Sequence, residues 1–249
     1  MNRFYALFCL VIITTFSSCQ FSENIYINAD GSGKMEFTFD GSQLMQMAGD
    51  QMSETQEKAI DSTFNFKELF DTMRDSISKL PEEEQQKLKR LEPFSMHMVM
   101  DPETSKMRFD LFTDFNKVTE LQDMFKAMKS FGDMTGKAQA GEANNPLSMF
   151  GGDNSTTLDY NYDGKTFIRT AKITDKEAYK QVTDSLGQMG MMLGSSTYKL
   201  NYHFPKPIKS VSNETAMFSN DRKSFTVEFG FMDYMTNPEA LNLEVVLED

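Results

Sequence analysis

Apolar and polar residues alternate on both sides of a glycine-rich turn early in the chain. Ile25, Ile27 and Ala29 alternate with Tyr26, Asn28 and Asp30. The chain then passes through Asp30-Gly31-Ser32-Gly33, and Met35, Phe37 and Phe39 alternate with Lys34, Glu36, Thr38 and Asp40. A period of two around such a turn predicts a β-hairpin with one buried face. Helical spacing follows. Gly41 to Gln56 is polar and Met-rich and predicts a short helix, and Phe66, Leu69, Phe70, Met73, Ile77 and Leu80 recur at helical intervals. Asn65 with Glu68 resembles a capping box. Pro81 opens a second helical stretch, whose Glu82, Glu83 and Glu84 sit where the helix dipole favours negative charge. That triple reads as a solvated first turn.

The hairpin-then-helix unit recurs. Phe94, Met96, Met98 and Met100 share one face of the next strand, opposite Ser95, His97 and Val99. Asp101-Pro102-Glu103-Thr104 supplies the turn, and Met107, Phe109 and Leu111 the return stripe. Asn116 is placed to cap a helix carrying Val118, Leu121, Phe125 and Met128. In the third unit, Leu158, Tyr160 and Tyr162 lead to an Asp163-Gly164 turn, and Thr166 to Ile173 returns. Thr174 and Glu177 resemble another capping box, before Ala178, Val182, Leu186, Met189 and Leu193. Strand stripes end the chain: Tyr198 to Phe204, Val211, Phe225 to Phe229 and Leu241 to Leu247, with Asn220-Asp221 as a turn.

The expected architecture is α+β. About ten strands, mostly paired as hairpins, form an antiparallel sheet with helices covering one face. Residues 24–249 make one domain. Residues 132–155 lose periodicity, are rich in Gly, Ala, Asn and Asp, and read as a flexible excursion from which Leu147, Met149 and Phe150 offer apolar side chains.

The N-terminus changes the picture. Arg3 precedes an apolar run from Phe4 to Phe16, too short for a membrane span of about 20 residues but fitting a signal-peptide core. Phe16-Ser17-Ser18-Cys19 resembles the lipobox of bacterial lipoproteins, with small residues before the cysteine and Phe16 where the family usually carries Leu, Val or Ile. The resemblance implies cleavage between Ser18 and Cys19, loss of residues 1–18, and lipid chains on the Cys19 sulfur. Residues 19–23 would then be a lipidated tether. Gln20 is not the aspartate that signals inner-membrane retention in some enteric bacteria, so the resemblance implies the outer membrane.

Removing residues 1–18 of 249 leaves 231, ample for a sizeable core. The leader's one charge is Arg3, so its loss takes the formal net charge from −12 to −13. An acidic body is repelled by nucleic acid, and that class of partner is set aside. Cys9 leaves with the leader and Cys19 is the acylation candidate, so the mature body has no thiol for a disulfide or for cysteine catalysis. The chain's 22 Phe, 20 Met and 8 Tyr supply its core.

Catalytic signatures are missing. Met96, Met98 and Met100 around His97, with Met107 across the turn, are soft ligands of the kind that suits copper(I). Alternation, however, puts His97 on the other face and makes the methionines core filling, so no metal or other cofactor is expected. His203 also falls on a polar face. There is no Gly-x-Ser-x-Gly elbow, no phosphate loop and no Asp-x-Asp-x-Asp calcium loop.

The C-terminal part adds a second resemblance. It runs from an aromatic strand through Pro205-Lys206-Pro207-Ile208-Lys209-Ser210-Val211 and Asn220-Asp221-Arg222-Lys223 to Asn237-Pro238 before a last strand. This order resembles uncharacterised Bacteroidota lipoproteins over Tyr198 to Glu248, with a fainter likeness to the mycobacterial LppM-type lipoprotein domain. The reading is a non-enzymatic envelope lipoprotein, attached to the outer membrane through Cys19, whose body is a binding or scaffolding module for a protein or an apolar ligand. The alternative is a carrier of an apolar ligand such as a lipid, held between sheet and Met-rich helices.

Overall fold

The computed structural model describes residues 20–48, 59–122, 155–185, 190 and 193–249. Among these, strands dominate a mixed fold of two sheets. The larger has eight strands: β1 (Gln20–Ile27), β2 (Gly33–Asp40), β3 (Ile60–Asn65), β4 (Ser95–Asp101), β5 (Lys106–Phe115), β8 (Thr197–His203), β10 (Met217–Phe218) and β11 (Ser224–Gly230). Their order across the sheet is β10-β11-β8-β1-β2-β5-β4-β3. The smaller comprises β6 (Thr156–Tyr162), β7 (Thr166–Ile173), β9 (Ile208–Val211) and β12 (Leu243–Leu247), in the order β6-β7-β12-β9.

The expected hairpins form. In the first, Gly31 takes the left-handed conformation at φ +83. Gly33 has no room for a side chain, since a Cβ there would lie 1.9 Å from the Tyr26 carbonyl oxygen. Gly164 turns the third hairpin at φ +92, where the Asp163 carboxylate accepts from the Lys165 and Thr166 amides.

Three features depart from the expectation. The sheet is not all antiparallel: β1 runs parallel to β8, with Gln20 opposite Thr197 and Tyr26 opposite His203. The strands divide between two sheets, and twelve are present among the described residues rather than about ten. The additions are β3 and the short β10, and β3 forms the far edge of the large sheet. Finally, residues 20–23 are no tether. The chain enters β1 at Gln20, which is paired to Asp40 on one side and Thr197 on the other.

Alternation sorts the large sheet into an apolar and a polar face. Phe21, Ile25, Met35, Phe37, Phe39, Leu111, Tyr198, Leu200, Tyr202, Phe225 and Val227 are buried on the apolar side. The small sheet covers part of it, and Phe167 meets Tyr202 and Phe204 edge-on at 5.4 and 5.5 Å. Short helices contribute elsewhere. They are α1 (Ser42–Ala48), α2 (Phe66–Thr72), α3 (Arg74–Ile77), α4 (Glu82–Leu91), α5 (Lys176–Ser185) and α6 (Phe231–Thr236). Met45, Phe66, Leu91 and Phe231 bring four of them into the core, and Phe231 stacks on Phe21 at 4.3 Å.

Caps follow the expectation in part. Asn65 accepts from the Lys67 and Glu68 amides and caps α2. In the first turn of α4, Glu83 is exposed and Glu84 half-buried, and they lie 2.8 and 3.5 Å from Lys87 one turn on. At α5 the cap is Asp175, not Thr174: its carboxylate accepts from the Glu177 and Ala178 amides at 3.0 Å. Among the described residues Val118–Glu120 is a short 3-10 turn without a side-chain cap, and the Asn116 backbone amide donates to the Glu120 carboxylate. Phe125, Met128, Leu186 and Met189 lie outside the described residues, as do the leader, Cys19, and residues 132–154 with Leu147, Met149 and Phe150.

Candidate functional site

Glu23 shares its inward parity with Phe21, Ile25 and Ile27, and it is wholly buried. A carboxylate in that position needs partners, because desolvation alone costs several kcal/mol per ion, on the order of the whole stability of a domain. It has four. Tyr160 and Tyr202 donate to Oε1, the former at 2.8 Å. Tyr198 donates to Oε2 at 3.0 Å, and Arg169 Nη2 stands 3.6 Å from the same oxygen.

The register explains the convergence. Glu23 is opposite Leu200 on β8, so Tyr198 and Tyr202 reach it diagonally from either side. From the small sheet come Tyr160 and Arg169, directly paired on β6 and β7. Arg169 is 2% exposed and its Nη1 donates to the Leu241 carbonyl at 3.0 Å. Its Nε has no partner among the described residues. Tyr234 stacks on Tyr198 at 4.3 Å.

The electrostatics hold the tyrosines and the arginine as donors. Burial, then the Glu23 charge, pushes the hydroxyls of Tyr160, Tyr198 and Tyr202 well above the ordinary tyrosine value, so they remain donors. Burial works against the Arg169 charge, but the surrounding oxygens of Tyr160, Glu23 and Tyr202 outweigh it and keep the guanidinium protonated. The three hydroxyls and the guanidinium therefore keep their protons near neutral pH. The cluster pins one sheet to the other.

A second cluster lies on the polar face of the large sheet. His97 on β4 is bracketed by carboxylates: Nε2 is 2.9 Å from Asp61 on β3, and Nδ1 is 3.3 Å from Asp110 on β5. Asp110 also accepts from Arg108 Nε at 2.9 Å and from Thr38 at 2.7 Å. The Asp61 hydrogen bond raises the His97 pKa; partial burial opposes it and Asp110 reinforces it. For Asp110, burial is the largest effect and pushes its pKa up. Hydrogen bonds from Arg108, Thr38 and His97 together outweigh burial and hold it below the usual carboxylate range. The row joins the edge strand β3 to β2 across two intervening strands.

The methionines lie on the other side of the same strand. Met96 is buried in the core, and Met98 and Met100 share its face. His97 points away from them, so the structure does not assemble the four residues that would suit copper. Among the described residues, no three His, Cys, Asp or Glu converge as metal ligands.

Further along the polar face, Asn201 donates to Asn24 at 2.9 Å and accepts from Thr226 at 2.7 Å. Tyr26 and His203 stack at 4.3 Å. Partial burial lowers the His203 pKa, with Asp221 opposing.

Sequence reasoning missed Glu23 and Arg169. Their parity was a usable signal, since each stands between apolar residues of its own inward stripe: Phe21 and Ile25 for one, Phe167 and Ala171 for the other.

No family model matches the chain. No curated protein matches it. A search of solved structures finds similarity to the folded domain of the Mycobacterium tuberculosis LppM protein, determined by NMR. Identity is 9%, the TM-score is 0.40, and 94% of each chain is covered. A likeness of that size carries no argument about fold or activity.

Proposed function

We propose that this chain is an envelope lipoprotein of the outer membrane, acylated at Cys19 after cleavage behind Ser18, and that its folded body is a non-enzymatic binding or scaffolding module. The leader pattern motivates the attachment. The observation that carries the second half is the closed Glu23 cluster. The buried carboxylate, the buried guanidinium and three tyrosine hydroxyls of the described body are committed to one another between the two sheets. A rigid, pinned body of this kind supports the scaffold reading over a carrier of apolar cargo in that space. No helix among the described residues is long and apolar enough to cross a membrane.

The test is purification from native membranes, with identification of co-purifying lipids and proteins, beside a Cys19→Ala variant. The reading predicts a protein partner in stoichiometric amount and release of the variant, unmodified, into the soluble fraction. A stoichiometric apolar ligand without a protein partner would favour the carrier, and a membrane-bound variant would overturn the anchor.

A further inference from the structure

We propose that the end of the body at which β1 begins lies flat against lipid headgroups, so that the molecule is held in one orientation. The inference rests on the proposed acylation of Cys19. It follows from how little chain separates that residue from the sheet. Gln20 is already paired on both sides, to Asp40 and to Thr197. Cys19 is its covalent neighbour, about 3.8 Å away between Cα atoms. No linker is left to lift the body off the bilayer.

The neighbouring strands show what must then meet the surface. Arg108 pairs with Asp40, which pairs with Gln20, so the three mark one level across the sheet. Strand β5 begins two residues further out, at Lys106, and the Pro102–Ser105 turn lies beyond it. At about 3.4 Å per residue, Lys106 overhangs this level by about 7 Å, further than the reach of about 3.8 Å that one residue of chain allows from Gln20. On the other flank Gly230 pairs with Thr197, and α6 starts at the next residue. Chains on the Cys19 sulfur therefore cannot enter a bilayer without bringing this rim to it. Glu103 and Lys106 are exposed on one flank and Asp233 on the other. A polar rim of mixed sign suits the headgroup layer rather than the hydrocarbon. The opposite end, with the Asn28–Ser32 turn and the Asn220–Lys223 turn, projects away from the surface, and the polar face of the large sheet stands upright beside the membrane.

Because the mature chain has no other cysteine, single labels are clean. Acylated protein bearing Glu103→Cys or Lys223→Cys, each labelled with a fluorophore, is bound to phosphatidylcholine vesicles that contain a headgroup-spin-labelled lipid. Both positions are exposed. Quenching is expected to be several-fold stronger at position 103 than at 223. Equal quenching on vesicle-bound, acylated protein overturns the orientation while leaving the anchor intact. An unmodified Cys19 in the same preparation, read by mass spectrometry, overturns the anchor and the orientation with it. A ten-residue Gly/Ser insertion between Cys19 and Gln20, reaching about 18 Å, should keep membrane binding and abolish the contrast. A contrast that survives the insertion would contradict the short connection as its cause.

Discussion

Glu23 and Arg169 face each other across the space between the two sheets, Oε2 and Nη2 3.6 Å apart and both side chains buried. The separation is long for a direct ion pair. The three tyrosine hydroxyls, rather than the guanidinium, make the close contacts to the carboxylate.

That arrangement ranks a mutant series. Each of Tyr160→Phe, Tyr198→Phe and Tyr202→Phe removes one hydrogen bond to a charged acceptor and is expected to cost about 1.5–3 kcal/mol. Glu23→Ala orphans three hydroxyls and a buried guanidinium together, and should cost more than any of them, about 3–5 kcal/mol. Urea denaturation reads the order. A Glu23→Ala protein as stable as the wild type would show that the cluster does not pin the sheets.

The His97 row makes a prediction in pH. Its folded pKa is raised, so the stability contributed by the charged ring is fully present below the unfolded value of about 6.5 and is lost as pH rises through the folded value. His203 acts in the opposite sense: with its folded pKa lowered, its contribution is present above about 6.5 and lost as pH falls. The difference in urea midpoint between the wild type and His97→Asn isolates the first effect. It should shrink as pH rises through the folded pKa, and Asp61→Asn should lower the His97 titration midpoint seen by NMR. A midpoint unchanged by Asp61→Asn would contradict the bracket.

Asp110 governs the acid side. Its folded pKa lies below the unfolded value of about 3.9, so its contribution is present above that value and is lost as pH falls through the folded one. Asp110→Asn should flatten that part of the acid limb in chemical denaturation. An acid limb identical to the wild type would contradict the role given to Arg108 and Thr38.

Two glycines separate crowding from backbone strain. At Gly33 an added Cβ meets the Tyr26 carbonyl at 1.9 Å and the Phe115 ring at 2.5 Å, and the carbonyl is backbone that cannot rotate aside. Gly33→Ala is expected to cost about 3 kcal/mol or more. Gly164 has open space and only its φ of +92 to set against a side chain, so Gly164→Ala should cost about 1–2 kcal/mol. Equal thermal midpoints for the two variants would contradict this ordering.

The hairpins were legible because alternation and turn chemistry are local. Ile25 to Phe39 and Leu158 to Ile173 carry both signals within twenty residues of sequence. The parallel pairing of β1 with β8 joins segments about 177 residues apart, as between Asn24 and Asn201, and no local pattern encodes it. Alternation also shows that Phe167 and Tyr202 each face inward without showing that they face each other, so two sheets read as one. Strand β3 escaped because Ile60-Asp61-Ser62-Thr63-Phe64-Asn65 is an edge with no clean apolar stripe. In the site, the separation of His97 from the methionines was readable from parity. The Asp61–His97–Asp110 bracket was not, since it needs the register of three strands.

The most direct measurement is the mass of the N-terminal peptide from protein purified out of native membranes. The account predicts a peptide that begins at Cys19 and carries the added mass of a diacylglyceryl group. A peptide that still begins at Met1, or a free thiol at Cys19, would contradict it.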